Sequence, residues 1–452
     1  MPRPVKSRDM DMTHGVIWKQ LLSFALPMMI GLVFQQLYNT VDSIVVGQFV
    51  GKEALAAVGS TSPILNTLVG FSAGLSMGSS VAISQAYGAH DNKRLHDAVH
   101  TTIALTFVLS VFMTALGIAL VRPLLTMMST PADVFPEATA YLTIYFAGLI
   151  GLLFYNMGSS ILRAVGDSRR PLYFLIFSAI LNTVLDLVFV IAFRMGVAGA
   201  GYATILAQFI SALLVLYVLT GEHTAYGIRW RDVRFEKEAF KKIVAVGLPS
   251  GLQQALTSFS NVFVQGYINH FGSAAMAGWS VQNKVDAFLM IPPQAVGMAS
   301  STFVGQNFGA QQLARARKGV RQATVMALTM TAVIVAAVLV FSRPLIQLFN
   351  TDPEVISYGV RFINIIAPFY LFLTFTQIYA GALRGIGSAK APMYIMLFSY
   401  VLFRQSYLLV VKLLGNALEG VTMAYPVGWI VCTILLVIFY RKSPLSGDKQ
   451  EA

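Results

Sequence analysis

Leu162-Arg163-Ala164-Val165-Gly166-Asp167-Ser168-Arg169-Arg170-Pro171-Leu172-Tyr173 returns later in the chain as Leu383-Arg384-Gly385-Ile386-Gly387-Ser388-Ala389-Lys390-Ala391-Pro392-Met393-Tyr394. The shared frame is Leu-Arg-x-Val/Ile-Gly-x-x-Arg/Lys-x-Pro-x-Tyr, repeated at an offset of 221 residues. Other echoes follow, at an offset of 222 before one single-residue slip and 221 after it. Leu26-Pro27 recurs as Leu248-Pro249, and Asn39 as Asn261. Gln85-Ala86-Tyr87-Gly88-Ala89 recurs as Gln306-Asn307-Phe308-Gly309-Ala310, and Arg122-Pro123-Leu124 as Arg343-Pro344-Leu345. Such self-similarity marks a duplicated structural unit.

Composition says what was duplicated. Of 452 residues, 56% are hydrophobic and only 12% charged, with mean hydropathy +0.67. A soluble globular chain carries roughly 25% charge. Apolar runs of about 20 residues, enough to cross a hydrocarbon layer of about 30 Å, recur from end to end. Spans are expected near 17–46, 54–83, 98–121, 136–161, 172–193, 197–220, 241–268, 274–303, 320–341, 356–382, 392–414 and 419–440. They must be helical, because lipid offers the backbone no hydrogen-bond partners and the runs are too long for barrel strands.

The expected fold is therefore all-α and integral to the membrane, with twelve helices in two six-helix bundles. The bundles fall at 1–220 and 243–452, joined by the polar loop 221–242. An even span count per half gives both copies one orientation, related by a pseudo-twofold axis along the membrane normal. The single cysteine, Cys432, excludes an intramolecular disulfide. The apolar run after Lys19 is long and lacks an Ala-x-Ala cleavage site, so it reads as a retained first span.

The formal net charge is +12, yet its distribution argues against a nucleic-acid partner. Of the 32 Lys and Arg residues, only Lys52, Arg122, Arg194, Arg343, Arg361 and Lys412 fall in loops opposite the termini. Lys284 and Arg404 lie inside spans, which leaves 24 on the side of the termini. By the positive-inside rule both termini are cytoplasmic in a multi-pass cell-membrane protein.

The Leu-Pro pairs, the Gln-x-Tyr/Phe-Gly-Ala loops and the Leu-Arg…Gly…Pro-x-Tyr loops, in this order and duplicated, resemble the multidrug and toxic compound extrusion (MATE) family across nearly the whole chain. The resemblance implies two six-helix bundles around a central cavity. It implies antiport, in which a Na+ or H+ gradient drives export of cationic or amphipathic compounds. It implies no enzymatic activity and no cofactor other than the coupling ion. Membrane lipid and small organic cations or amphipathic drugs are the expected partners, and the expected state is a monomer. A related duplicated architecture, the flippase for lipid-linked precursors, would favour extra spans and a strongly cationic cavity. An intramembrane aspartyl protease would need Tyr-Asp and Gly-x-Gly-Asp motifs, and Tyr38-Asn39-Thr40-Val41-Asp42 is neither.

A charge at mid-bilayer costs about 2.5–3.5 kcal/mol even on the lenient insertion scale, so each buried one needs a reason. On the first span Gln35, Tyr38, Asn39 and Asp42 form a polar stripe at steps of three and four. On the fifth, Asn182 and Asp186 share a face, and on the sixth Thr204 and Gln208 do the same. At about 1.5 Å per residue, Asp42, Asp186 and Thr204 all fall in the outer half of the first bundle. Oxygen donors of this kind suit a hard cation, and two carboxylates in low dielectric cannot both stay ionised. In the DinF-like branch of the family, aspartates on the first and fifth spans form the cation-coupling site, with an asparagine four residues before the latter. Asp42, Asn182 and Asp186 match those positions, and Thr204 matches a sixth-span hydroxyl. The site would take H+, or Na+ at Asp42 and Asp186.

Another branch uses a seventh-span glutamate and a tenth-span aspartate. Here the seventh span offers Gln253, Gln254 and Thr257, and the tenth has no carboxylate past Glu354, so that site is not expected. Carried across the offset, Asn182 meets Phe403 and Asp186 meets Tyr407, which leaves the coupling carboxylates to the first half. In the second half Asp286 is expected to pair with Arg404.

Gln35, Tyr38, Asn39, Tyr155, Asn156 and Met157 are candidate cavity residues from the first half, and Phe259, Asp286, Met290 and Arg404 from the second. Methionine and aromatic side chains adapt to varied apolar ligands. Pro27 is a candidate bending point of the first helix, as it is in the family. Gly70-x3-Gly74-x3-Gly78 reads as close helix packing. Gly381-x3-Gly385-x-Gly387 has the outline of a dinucleotide loop, but no strand precedes it. His96-x3-His100 has metal-like spacing without a third ligand nearby in sequence.

Overall fold

The computed structural model describes residues 9–446 apart from 51, 129 and 222–224, and it leaves out the side chains of 39, 42–44, 46–48, 52–56, 60 and 63. The described residues form helices and connecting turns throughout. The first half holds α1 (Ile17–Phe49), α2 (Lys52–Gly88), α3 (Asn92–Met127), α4 (Phe135–Ala147), α5 (Leu149–Ala164), α6 (Arg169–Asp186) and α7 (Gly196–Gly221). The second half opens with α8 (Lys237–Asn269), α9 (Ser273–Leu289), α10 (Ile291–Gly309), α11 (Leu313–Val340), α12 (Ser342–Gln347) and α13 (Pro353–Ile366). It closes with α14 (Tyr370–Gly385), α15 (Lys390–Leu397), α16 (Arg404–Leu413), α17 (Leu418–Thr422) and α18 (Ala424–Arg441).

These helices account for all the expected spans. Ten stretches among the described residues are long and apolar enough to cross a membrane, or eleven when the bent pair α4–α5 counts as one. The remaining long helix is α8, whose Gln253, Gln254, Asn261 and Gln265 lower its hydropathy. The α4–α5 bend is 46° and falls at Gly148. A Cβ there would lie 2.3 Å from Ile205, so α7 passes too close for any side chain.

The chain forms two compact units. One contains Asp9, Met10 and Ile30–Leu248; the other contains Asp11–Met29 and the residues from Pro249 onward. The division therefore falls inside α1 and α8, not at 220 and 243. In each case it lies next to a helix-interior proline, Pro27 or Pro249. Proline removes a backbone donor and crowds the carbonyl four residues back, so the two sides of each helix pack as separate pieces. The 221–242 segment is polar, but its described residues belong to the first unit. There Tyr226 Oη donates to Asp9 at 2.7 Å, and the Glu236 amide donates to Thr101 Oγ1 at 3.0 Å.

Duplication is visible in the backbone. Left-handed φ values occur at His90 (52°) and Gln311 (59°), at Gly166 (92°) and Gly387 (86°), and at Arg194 (54°) and Asn416 (54°). The first two pairs are spaced by 221 residues and the third by 222, so the turns that end matching helices were copied with them.

Close helix approach depends on glycine. A Cβ on Gly381 would sit 2.4 Å from the Gly297 carbonyl oxygen, and one on Gly385 2.7 Å from that of Ser301. The Gly381-x3-Gly385 run is thus the seam between α14 and α10. Gly78 similarly faces the Ile243 carbonyl at 2.3 Å in the first unit. The second unit has an aromatic core, with Trp279 edge-on to Phe362 at 5.1 Å and Tyr370 edge-on to Trp429 at 4.9 Å. Phe107, Phe112, Phe177, Ile180, Tyr217 and Val333 stand exposed on outer helix faces, as side chains meant for lipid do.

Candidate ion and substrate sites

In the first unit α6 and α7 bring Asn182, Asp186 and Thr204 together, all buried (2%, 1% and 5% exposed). As placed, the Asn182 amide oxygen faces acceptors only. Turned over, its Nδ2 donates to Asp186 Oδ2 at 3.1 Å and its Oδ1 accepts from the Thr204 amide at 3.2 Å. That orientation satisfies both ends, and hydrogen bonding is what assigns an amide. Gln208, one turn from Thr204, has a buried Oε1 without a hydrogen-bond partner among the described residues. The backbone of α1 passes through Asn39 and Asp42, but those two side chains lie outside the described residues. Gln35 is exposed and Tyr38 partly buried on the same helix.

A π-helical turn, Leu187–Ala192, follows Asp186 directly. Span eleven also has one, Phe398–Phe403, and it ends directly before Arg404. Such turns widen a helix and shift its face, and they gather at functional positions. The same pair of spans therefore carries a buried acid in one copy and a buried base in the other.

Arg404 does not pair with Asp286. Its Nη2 donates to Ser260 Oγ at 2.7 Å and Asn261 Oδ1 at 2.9 Å, and its guanidinium stands 4.8 Å from the Tyr425 ring centre. Among the described residues it makes no ion pair, and its Nε has no hydrogen-bond partner. Asp286 instead accepts from Gln282 Nε2 at 3.2 Å, within its own helix. Sequence placed both charges in spans, but it could not show that α8 carries neutral acceptors to Arg404 first. Ser260 and Gln405 are the residues that sequence reading missed. The adjacent Ser260-Asn261 polar pair on a membrane helix was the available signal.

Lys284 is exposed, with Nζ 4.9 Å from the Phe349 ring centre, as a lysine reaching from its span would be. Of the other cavity candidates, Tyr155 is buried and donates to the Pro171 carbonyl at 3.3 Å. Met157 is buried and receives Ser76 Oγ at 3.2 Å, so both are packed inside the first unit. Asn156 is partly buried. Phe259 is exposed and edge-on to Phe263 at 5.3 Å, and Met290 sits at the junction of α9 and α10.

The 225–236 segment supplies the third group that the His96–His100 spacing lacked in sequence, with Asp232 Oδ2 3.2 Å from His96 Nε2. His100 is nevertheless committed to the backbone. Its Nδ1 donates to the His96 carbonyl at 2.8 Å, and its Nε2 accepts from the Arg229 amide at 3.0 Å. With both nitrogens engaged it cannot ligate a metal.

Residues 27–188 and 249–406 each match the MatE family model, so the two matched segments repeat the internal duplication. A Bacillus subtilis (strain 168) protein named probable multidrug resistance protein YpnP is 31% identical over 433 residues, covering 95% of this chain and 96% of its own length. A FAD transporter of Shewanella oneidensis is 25% identical over 416 residues, covering 90% and 91%. The solved outward-facing structure of a multidrug resistance MATE family transporter of the MOP superfamily superimposes with a TM-score of 0.89. It is 26% identical and covers 95% of this chain and 96% of that one.

Proposed function

Because the chain belongs to the MATE family of multi-pass membrane transporters, and is a transporter rather than an enzyme, we propose that it is an H+- or Na+-coupled multidrug antiporter. It would export cationic or amphipathic organic compounds across the cell membrane by alternating access, with both termini in the cytoplasm. The observation that carries the coupling reading is the buried cluster of Asp186, Asn182 and Thr204. A carboxylate 1% exposed is kept in the interior with the Asn182 amide against it and the Thr204 hydroxyl beside that amide. Left ionised it would be costly, so it favours a bound proton or a bound cation. The carboxylate, amide and hydroxyl oxygens also form the donor set of a hard cation. An inward-moving charge would draw about 2.3 kcal/mol per 100 mV of membrane potential.

In the expected cycle, neutralising Asp186, and with it Asp42, biases the first unit toward the state that releases substrate. Returning the ion to the cell resets it. The test is efflux of a cationic dye from proteoliposomes under separately imposed pH and Na+ gradients, comparing wild type with Asp42→Asn and Asp186→Asn. Gradient-driven efflux should vanish in both variants. Undiminished coupled efflux in both would sink the assignment.

A further inference from the structure

The second unit contains a cation that its own packing does not require. Ser260 Oγ donates to the Tyr400 carbonyl at 2.7 Å, and Gln405 Nε2 bonds Ser260 Oγ at 3.0 Å and its carbonyl at 3.3 Å. These neutral bonds already join α8 to span eleven. Arg404 adds a formal charge at the same junction, 3% exposed and without a carboxylate in ion-pair reach among the described residues. Its Nη2 bonds Ser260 and Asn261, while its Nε has no hydrogen-bond partner among the described residues. Asn261, one of its two acceptors, is itself exposed. Tyr425 supports the guanidinium face, and Tyr425 itself packs against Trp279 and Trp429. A planar, always-charged donor backed by an aromatic ring is the arrangement that receives carboxylate or phosphate.

We propose that Arg404, with Ser260, Asn261 and Tyr425, is an anion subsite that receives a carboxylate or phosphate group of the transported amphipathic compound. The coupling carboxylate in the first repeat and this base in the second would then divide the work. One half reads the driving ion and the other reads negative charge on the cargo. Asp286, partly buried and accepting from Gln282, makes no ion pair with Arg404.

The proposal rests on the export reading. Its test uses the full chain in phosphatidylcholine nanodiscs and two dyes, rhodamine 110, which has a free carboxylate, and its methyl ester rhodamine 123. Arg404→Gln should weaken binding of the acid about tenfold or more and leave the ester within about twofold. Arg404→Lys should retain part of the preference. Asn261→Asp changes an exposed position and places a carboxylate against the guanidinium. It should abolish the preference for the acid in a protein that still folds, and so covers the case in which Arg404→Gln does not. Equal loss for both dyes, or no loss for either, overturns the subsite. So does an Asn261→Asp variant that still prefers the acid. If adding phosphatidylglycerol displaces the acid but not the ester, a lipid headgroup is the occupant and the cargo proposal fails. If wild type binds neither dye, the export reading falls with it.

Discussion

Arg404 donates to the Ser260 hydroxyl at 2.7 Å on the span that repeats the one carrying Asp186. Each of these two spans contains a π-helical turn beside its buried charge, after the acid in the first copy and before the base in the second. The scaffold was kept through duplication, and the sign of the buried charge was not.

Asn182 is the residue through which Asp186 meets α7. Asn182→Ala removes an amide that faces both the carboxylate and the Thr204 amide. Leaving a buried polar group unsatisfied costs about 1–3 kcal/mol. Thermal unfolding should show that loss, and gradient-driven efflux should fall about tenfold. Normal coupled efflux would remove Asn182 from the site.

Glycine at the α10–α14 seam should be intolerant of even one carbon. In Gly381→Ala the new Cβ meets the Gly297 carbonyl, a backbone atom that cannot turn away. Overpacking of this kind costs about 1–3 kcal/mol. Gly266, inside α8, has nothing within 4 Å of a built Cβ. Gly266→Ala should therefore be neutral or stabilising by about 0.5–1 kcal/mol. Equal melting temperatures for the two variants would contradict the packing account.

The segment before α1 is pinned within the second unit. The Met12 amide donates to Gln306 Oε1 at 2.8 Å, and Arg315 donates to the Met12 and Gly15 carbonyls at 3.1 and 2.9 Å. Arg315→Gln should speed hydrogen exchange across residues 12–20 with little change in α10 and α11. Protection unchanged in that segment would refute the pinning.

The same segment should respond to acid. Burial pushes the Asp11 carboxyl up, but hydrogen bonds from the Thr13 hydroxyl and amide, with His14 alongside, outweigh it and hold the carboxyl below its ordinary range. A lowered folded-state pKa contributes stability above the unfolded value, and that contribution is lost as pH falls through the folded one. Protection of residues 12–20 should therefore decline below about pH 4. Asp11→Asn should flatten that decline, and an unchanged pH profile would exclude Asp11 as its source.

His100 should behave as a structural bridge. Zn2+ should leave the melting temperature of the wild type unchanged, because both ring nitrogens are already used. His100→Ala strands the Arg229 amide and should cost about 1–3 kcal/mol. A Zn2+-dependent rise in stability, lost in His100→Ala, would restore the metal reading.

Membrane character, the twelve spans and the duplication followed from composition and register, since helix length and apolar content are local properties of the chain. So did the asymmetry of the carboxylates, because the offset shows directly that Asp186 faces Tyr407 in the other copy. Residues on one helix at steps of three and four share a face, which is why the spacing alone puts Asn182 beside Asp186. Non-local matters were different. That Arg404 meets Ser260 and not Asp286, that Asp232 reaches His96, and that Gly381 abuts Gly297 all depend on which helix lies against which. The units likewise part at Pro27 and Pro249 and not at the polar loop. Periodicity states which way a side chain points and how deep it lies, but not what waits there, and only the packed helices supply that partner.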